Sequence, residues 1–90
     1  MQVRIPGLLR SYTKGAEVVA VAPSAIAPTL GDALAELDTR FPGFRFRIVD
    51  EQGAIRPHIK IFVDGMLARE LGTDVRPDAE LMIVGALSGG

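Results

Sequence analysis

The stretch from Thr29 to Phe41 reads TLGDALAELDTRF and predicts one amphipathic helix around which the domain is built. Thr29 is a typical N-cap, and Asp32 three residues later is a carboxylate variant of the capping box that also suits the positive helix end. The apolar residues recur at helical spacing and would form one buried stripe: Leu30, Ala33, Leu34, Leu37 and Phe41. Three charged residues would face solvent: Glu36, Asp38 and Arg40. Pro42-Gly43 would end the helix.

Two short strands are predicted before this helix. Residues 2–5 alternate polar and apolar side chains, the pattern of a half-buried strand. Residues 17–21 are short and β-branched, so they predict a second strand that pairs with the first as a hairpin. Lys14-Gly15 would form a turn between them, and residues 23–28 an irregular loop that leads to the helix.

Three strands are predicted after the helix. Residues 44–48, FRFRI, alternate and predict a strand in which Arg45 and Arg47 lie on a solvated face. An anion-binding pair is the alternative, and it is less favoured because acidic residues follow at positions 50 and 51. Residues 58–63 predict the next strand, Asp64-Gly65 a hairpin turn, and residues 81–84 the last strand.

This order of elements predicts an α+β domain with a mixed sheet of four to five strands and one main helix across it. It fits the β-grasp, or ubiquitin-like, fold. The predicted domain covers residues 1–84, and a flexible tail covers residues 85–90. The expected core includes residues from the sheet and the helix: Val3, Ile5, Leu34, Leu37, Ile61 and Ile83.

The composition narrows the class of function. Ninety residues with 48% hydrophobic and 23% charged side chains make one ordinary globular domain. A net charge of -1 gives no general attraction to nucleic acid or anionic membranes, and no apolar run approaches a transmembrane helix, so we expect a cytoplasmic protein. Without cysteine, and with His58 as the single histidine, the chain has few groups for catalysis or metal binding. We expect no metal site, a solvated or hydrogen-bonded His58, and a protein that is not an enzyme.

The sequence closes on a tail with two glycines, Gly89 and Gly90, after the last predicted strand. Six extended residues span about 20 Å, enough to carry a terminal carboxylate out of a compact body into a partner's active site. Because both glycines lack Cβ, the walls of such a site could close tightly around their backbone. We expect them to be exposed and mobile. Taken alone, the same residues also fit an ordinary disordered terminus.

Four segments taken in order resemble the ubiquitin-like sulfur carrier proteins of the ThiS/MoaD family. This family includes the small subunit of molybdopterin synthase and the carrier of thiazole synthesis. The segments are IPGLLR at 5–10, TLGDAL at 29–34, RPHIKIFVDG at 56–65 and the Gly89-Gly90 end. The resemblance covers the whole length. Its opening segment and the turn at 13–15 are most similar to an actinobacterial, CysO-like branch whose carriers pass sulfur to a cysteine synthase.

The resemblance implies a protein cosubstrate with no bound cofactor. An E1-like partner enzyme would use ATP to adenylate the Gly90 carboxylate, which is then converted to a thiocarboxylate. Leu87, Ser88 and Gly89 would thread through the partner's active site. A second partner would accept the sulfur: a cysteine synthase-type enzyme first, or one that makes molybdopterin, thiazole or another thio-metabolite. Two alternatives stay open, a ubiquitin-like modifier conjugated to lysines through Gly90 and an interaction module with an inert tail.

A partner-docking surface is predicted on the uncovered face of the sheet. If odd-numbered residues of the strand at 58–63 face the helix, Lys60 and Phe62 face outward. The same alternation puts Met82, Val84 and Arg4 on the outer face. A contiguous apolar patch beside the start of the tail is typical of a protein-binding surface. The alternative is that a loop or a second copy of the chain covers it.

Overall fold

The computed structural model describes residues 1–85, in which a five-stranded sheet is combined with one main helix. The strands are β1 Gln2–Arg4, β2 Val18–Ala20, β3 Ile59–Val63, β4 Met66–Ala68 and β5 Glu80–Gly85. The helices are α1 Leu30–Arg40 and the short α2 Phe44–Ile48, and a single 3-10 turn covers Gly7–Leu9. Within residues 1–85, no helix is long and apolar enough to cross a membrane.

The sheet is mixed, with strand order β2-β1-β5-β3-β4. β1 and β5 are parallel, whereas the other neighbouring strands are antiparallel. The predicted hairpin of the first two strands is confirmed, with Val3 opposite Val19. The α+β, β-grasp prediction is also confirmed. Because β5 is the middle strand, the last described residues lie at the centre of the sheet rather than at its edge.

Helix α1 begins as the sequence predicts. The Oγ1 of Thr29 accepts the N–H of Asp32 at 3.3 Å, and the Asp32 carboxylate accepts the N–H of Thr29 at 2.8 Å. Two of the N–H groups that a helix start leaves without intrahelical partners are thereby satisfied. Four residues of the predicted stripe are buried: Leu30, Ala33, Leu34 and Leu37. Phe41 follows the last helical residue and packs, partly buried, against the core.

All six residues predicted for the core are buried: Val3, Ile5, Leu34, Leu37, Ile61 and Ile83. They belong to one continuous cluster that joins one face of the sheet to α1. Phe44 and Ile48 of α2 belong to the same cluster and are fully buried. The short second helix therefore contributes side chains to the hydrophobic core.

The prediction of a strand over residues 44–48 is wrong, because this segment is helix α2. Five alternating residues also place positions 44 and 48 four residues apart, which is one face of a helix. A side chain from α1 selects the helix: Asp38 Oδ1 accepts the N–H groups of Gly43 at 3.2 Å and Arg45 at 3.0 Å. Gly43 enters the helix with φ of 92°, a conformation that glycine adopts without strain.

The two phenylalanines of α2 test this correction. Phe44 is 0% exposed, whereas Phe46 is 50% exposed. We expect Phe44→Ala to lower the free energy of unfolding by about 3–5 kcal/mol, and Phe46→Ala by about 1 kcal/mol or less. Urea unfolding monitored by circular dichroism measures both. Similar costs for the two variants would indicate a strand, in which alternate residues share one face.

The hairpin between β3 and β4 turns at Asp64-Gly65, as predicted. Both residues have positive φ, 48° and 83°, and Val63 pairs with Met66 across a two-residue turn. The Asp64 carboxylate also accepts the N–H of Glu80 at 2.9 Å, which ties the turn to the first residue of β5. β5 runs through Gly85, one residue beyond the predicted end of the last strand.

Candidate functional site

The structure brings the five residues of the predicted docking surface onto one face of the sheet. Met82 of β5 lies opposite Arg4 of β1 on one side and opposite Phe62 of β3 on the other. Val84, two residues further along β5, lies opposite Lys60. Residues in register and residues two apart on a strand point to the same side of a sheet. We call this set the outer sheet patch.

The apolar members of the outer sheet patch are accessible to a partner. Met82 is 44% exposed and Val84 is 39% exposed. Phe62, on the strand between β5 and β4, is half-buried. Sequence reasoning missed Leu67, which is 38% exposed and lies opposite Phe62 in the β3–β4 hairpin. The two-residue turn at Asp64-Gly65 fixes that register, so the turn was the signal that could have identified Leu67.

A recess of about 300 Å³ opens beside the outer sheet patch. Its walls include two apolar side chains, Phe62 and Met82, and two charged ones, Arg4 and Glu80. A recess of this size and character can accept one apolar side chain of a partner, with polar groups at its margin. Such an arrangement, an apolar centre with a polar rim, is typical of protein–protein contacts.

The described part of the chain ends next to the outer sheet patch. Gly85, which follows Val84, is the last described residue and lies opposite Ile59 at the start of β3. A Cβ added to Gly85 would lie 2.5 Å from the Cδ2 of Leu8, closer than van der Waals contact allows. The side chain of Leu8 therefore lies directly against the backbone of Gly85. The predicted roles of Leu87, Ser88, Gly89 and Gly90 concern residues outside the described part of the chain.

Within residues 1–85, the acidic residues and His58 form no cluster that could hold a metal ion. No three His, Asp or Glu side chains among them are grouped as metal ligands. His58 is exposed just before β3. The pKa of Asp50 is lowered because the N–H groups of Ala54 and Gln52 donate to its carboxylate, and the charge of Arg56 acts in the same direction. Asp50 is therefore an anion that accepts backbone N–H groups of the turn after it, at residues 51–54.

Solved structures of known proteins match this fold over nearly the whole chain. A chain of the BexX/CysO complex of Amycolatopsis orientalis matches with 26% identity and a TM-score of 0.82, covering 99% of this chain and 98% of that one. CysO of Mycobacterium tuberculosis matches with 26% identity and a TM-score of 0.81, covering 96% and 98%. Small archaeal modifier protein 1 of Haloferax volcanii matches with 28% identity and a TM-score of 0.83, covering 100% and 98%. No family model and no curated protein sequence matches.

The fold and these full-length matches define a ubiquitin-like β-grasp protein. Its neighbours of known structure include CysO and small archaeal modifier protein 1, and the resemblance to ubiquitin-like sulfur carriers is thereby confirmed. These neighbours are small carriers or modifiers rather than enzymes.

Proposed function

We propose that this protein is a sulfur carrier whose Gly90 carboxylate is converted to a thiocarboxylate. The observation that carries the proposal is the full-length structural likeness to two CysO chains, together with the Gly89-Gly90 end of the sequence. The middle position of β5 supports it as well. The strand that leads to the glycines is anchored on both sides, so the body of the protein can be held while the tail is engaged.

The proposed chemistry has two steps, and neither needs a side chain of the carrier. In the first, a carboxylate oxygen of Gly90 attacks the α-phosphorus of ATP, and pyrophosphate leaves. In the second, a hydrosulfide-level sulfur nucleophile from a partner attacks the acyl carbon. A C–S bond forms, the C–O bond to AMP breaks with its electron pair, and the sulfur's proton goes to solvent. AMP and a thiocarboxylate are the products.

The partners of the proposed reaction are an E1-like activating enzyme and a sulfur-accepting synthase. ATP belongs to the activating enzyme, so the carrier itself needs no bound cofactor. Leu87, Ser88 and Gly89 would occupy the channel that leads to the reacting atoms. We propose a cysteine synthase-type acceptor in the cytoplasm, with molybdopterin, thiazole and other thio-metabolites as the alternatives. The complex of CysO with BexX supports a protein partner for this type of fold.

The outer sheet patch is the proposed docking surface for the activating enzyme. Arg4, Lys60, Phe62, Met82 and Val84 share one face, and Val84 directly precedes the residue at which the described chain ends. A partner that covers this face can hold the body and receive the tail at the same time. No element within residues 1–85 covers Met82 and Val84, which remain exposed on this face. An exposed apolar patch of this kind supports a role in binding a protein partner.

Replacement of Phe62 by alanine tests the docking surface. We expect binding to the activating enzyme to weaken at least tenfold, about 1.4 kcal/mol, because Phe62 is the largest apolar side chain of the patch. Isothermal titration calorimetry measures the affinity, and circular dichroism checks the fold. Ile26→Ala is the control, since Ile26 is fully exposed in the loop before α1. Unchanged binding of a folded Phe62→Ala protein would place the docking surface elsewhere.

Adenylation by a partner is the test of the proposed function. The protein is mixed with the activating enzyme of the same cell, ATP and labelled pyrophosphate. Exchange of label into ATP that requires this protein is the expected result. Subsequent addition of a sulfide source should convert the protein to its thiocarboxylate, detected by intact mass. No exchange with any activating enzyme of that cell would refute the proposal.

A ubiquitin-like modifier is the second candidate, supported by the likeness to small archaeal modifier protein 1. In this case Gly90 would form an isopeptide bond with a lysine of another protein. A protease that cleaves after Glu80 would leave the ten residues Leu81–Gly90 on each modified lysine. Lysine-linked remnants in the native cell's proteome would indicate a modifier, and a free thiocarboxylate would indicate a carrier.

A further inference from the structure

Two adjoining grooves share Tyr12, Arg47 and His58, and no residue of the outer sheet patch lines either of them. One groove, of about 430 Å³, extends to Leu8. The other, of about 560 Å³, extends to Phe46 and Arg56. We call the two together the arginine groove. No step of the proposed sulfur chemistry uses these residues.

The two arginines of the arginine groove are held in place by the protein itself. The Nε of Arg47 donates to the hydroxyl of Tyr12, and its guanidinium carbon lies 5.6 Å from the centre of that ring. The Nε of Arg56 donates to the carbonyl oxygen of Phe46 at 2.8 Å, and its guanidinium carbon lies 4.6 Å from the centre of the Phe46 ring. Each guanidinium is thus held through its Nε, and that of Arg56 also stacks on an aromatic ring.

The outer amino groups of both guanidiniums are available to a ligand. Among residues 1–85, the Nη atoms of Arg47 and Arg56 make no hydrogen bond and no ion pair within 4.0 Å. The charge of Arg56 lowers the pKa of Asp50, but the hydrogen bonds that the Asp50 carboxylate accepts come from backbone N–H groups of its own turn. The arginine groove therefore carries two positive charges whose Nη donors have no partner within the described residues, on guanidiniums that are already held through their Nε atoms.

The arginine groove begins where the described chain ends. Leu8 forms one wall of the first groove, and the same side chain lies against the backbone of Gly85. Leu8 is also 41% exposed, which makes it an accessible apolar contact between the two features. A protein that receives the tail would consequently lie close to Arg47 and His58.

We propose that the arginine groove binds a short acidic segment, with Asp or Glu side chains, of the protein that receives the tail. That the acidic segment belongs to the protein that receives the tail rests on the proposed function. That the groove recognises an acidic segment rests on the geometry of Arg47 and Arg56 alone. A preordered guanidinium presents paired N–H donors that match the two oxygens of a carboxylate, and less side-chain entropy is lost on binding.

Nucleic acid is a poorer fit to the arginine groove than an acidic peptide. Arg56 already stacks on the ring of Phe46, so that face does not offer a stacking platform for a base. The chain has a net charge of -1, and the acidic residues Asp50 and Glu51 follow α2 closely. An extended positive track for a phosphate backbone is therefore missing from this part of the described chain.

A titration with a defined peptide tests the inference. The probe is the acetylated and amidated hexapeptide EELDEE, added to ¹⁵N-labelled protein and followed by NMR. We expect shifts concentrated at the amides of Tyr12, Arg47, Arg56 and His58. Binding should weaken at least about tenfold in the Arg47→Gln/Arg56→Gln double variant. The Arg47→Lys/Arg56→Lys double variant keeps both charges but loses the paired guanidinium donors and the Nε hydrogen bonds. It should bind at least about threefold more weakly than the wild type.

Arg45→Gln is the matched control, because it removes one positive charge from the same short helix at a residue that lines neither groove. Its affinity for the peptide should stay within about twofold of the wild type. An equal loss in Arg45→Gln and in the double glutamine variant would overturn the inference. So would the absence of shifts at the groove, or stronger binding there of a twelve-nucleotide oligothymidine. The amide spectra of the variants show whether they are folded.

Failure of this inference is distinguishable from failure of the proposed function. The same glutamine variant is tested for binding to the activating enzyme, where at least about tenfold weaker binding is expected. If the wild type forms a thiocarboxylate but neither peptide nor enzyme binding depends on the arginines, the inference fails and the carrier function stands. If peptide binding depends on the arginines but no thiocarboxylate forms, the proposed function fails and the recognition of acidic peptides stands.

Discussion

Replacement of Leu34 by alanine is expected to lower the free energy of unfolding by about 2–5 kcal/mol. Leu34 is 0% exposed on the buried stripe of α1, so truncation removes apolar contacts and leaves a cavity in the hydrophobic core. Domains of this size are stable by about 5–15 kcal/mol, which makes this loss a large fraction of the total. Urea unfolding gives the free energy. The melting temperature should fall by on the order of 10–30 °C.

Thr39→Ala is the control for Leu34→Ala. Thr39 is exposed on the same helix, and its hydroxyl donates to the carbonyl of Ala35, so its loss should change the free energy of unfolding by less than about 0.5 kcal/mol. Comparable losses in the two variants would mean that the buried face of α1 is assigned wrongly.

Gly90→Ala is expected to reduce thiocarboxylate formation by about a hundredfold or more, about 2.7 kcal/mol in the barrier. The added methyl group would lie next to the reacting acyl carbon, where a channel shaped for glycine leaves no room for Cβ. The melting temperature should not change, because glycine contributes no side chain to the core. Adenylation is measured by ATP–pyrophosphate exchange and stability by calorimetry. A residue added after Gly90 should have the same effect, because it displaces the carboxylate.

Gly72→Ala is the matched control for Gly90→Ala. A Cβ at Gly72 meets no atom within 4 Å, so this variant should react and melt like the wild type. A marked fall in melting temperature with Gly90→Ala would show that the tail has a structural role. Full activity of Gly90→Ala would exclude Gly90 as the reacting residue.

The elements that the sequence predicts well are specified by nearby residues. The capping box of α1 joins Thr29 to Asp32, and its apolar stripe repeats within eleven residues. The turn at Asp64-Gly65 is similarly local, and its register then places Phe62 on the outer face. Alternation along β3 and β5 was enough to predict the outer sheet patch, because a strand has only two faces.

The features that the sequence misses depend on individual polar contacts that the spacing of apolar residues does not encode. Helix α2 is selected by Asp38, a residue of α1 that we expected to face solvent. Glu36, expected on the same solvent side, accepts the N–H of Ala22 at 3.0 Å. The arginine groove likewise combines Tyr12 with Arg47, which lie 35 residues apart. The periodicity of polar and apolar residues does not specify such pairs.

The measurement that tests the carrier function most directly is alkylation of the protein isolated from its own cell. The chain contains no cysteine, so a thiocarboxylate would be its most reactive sulfur nucleophile toward iodoacetamide at neutral pH. It also contains three methionines, whose oxidation adds nearly the same mass as the exchange of oxygen for sulfur. Alkylation separates these two modifications.

A protease that cleaves after Glu80 releases the peptide Leu81–Gly90, which is then analysed by fragmentation mass spectrometry. We predict a carbamidomethyl group on a sulfur atom at Gly90, absent from protein of cells that lack the activating enzyme. A peptide that carries an ordinary carboxylate in every preparation, with or without that enzyme and a sulfide source, would contradict the account.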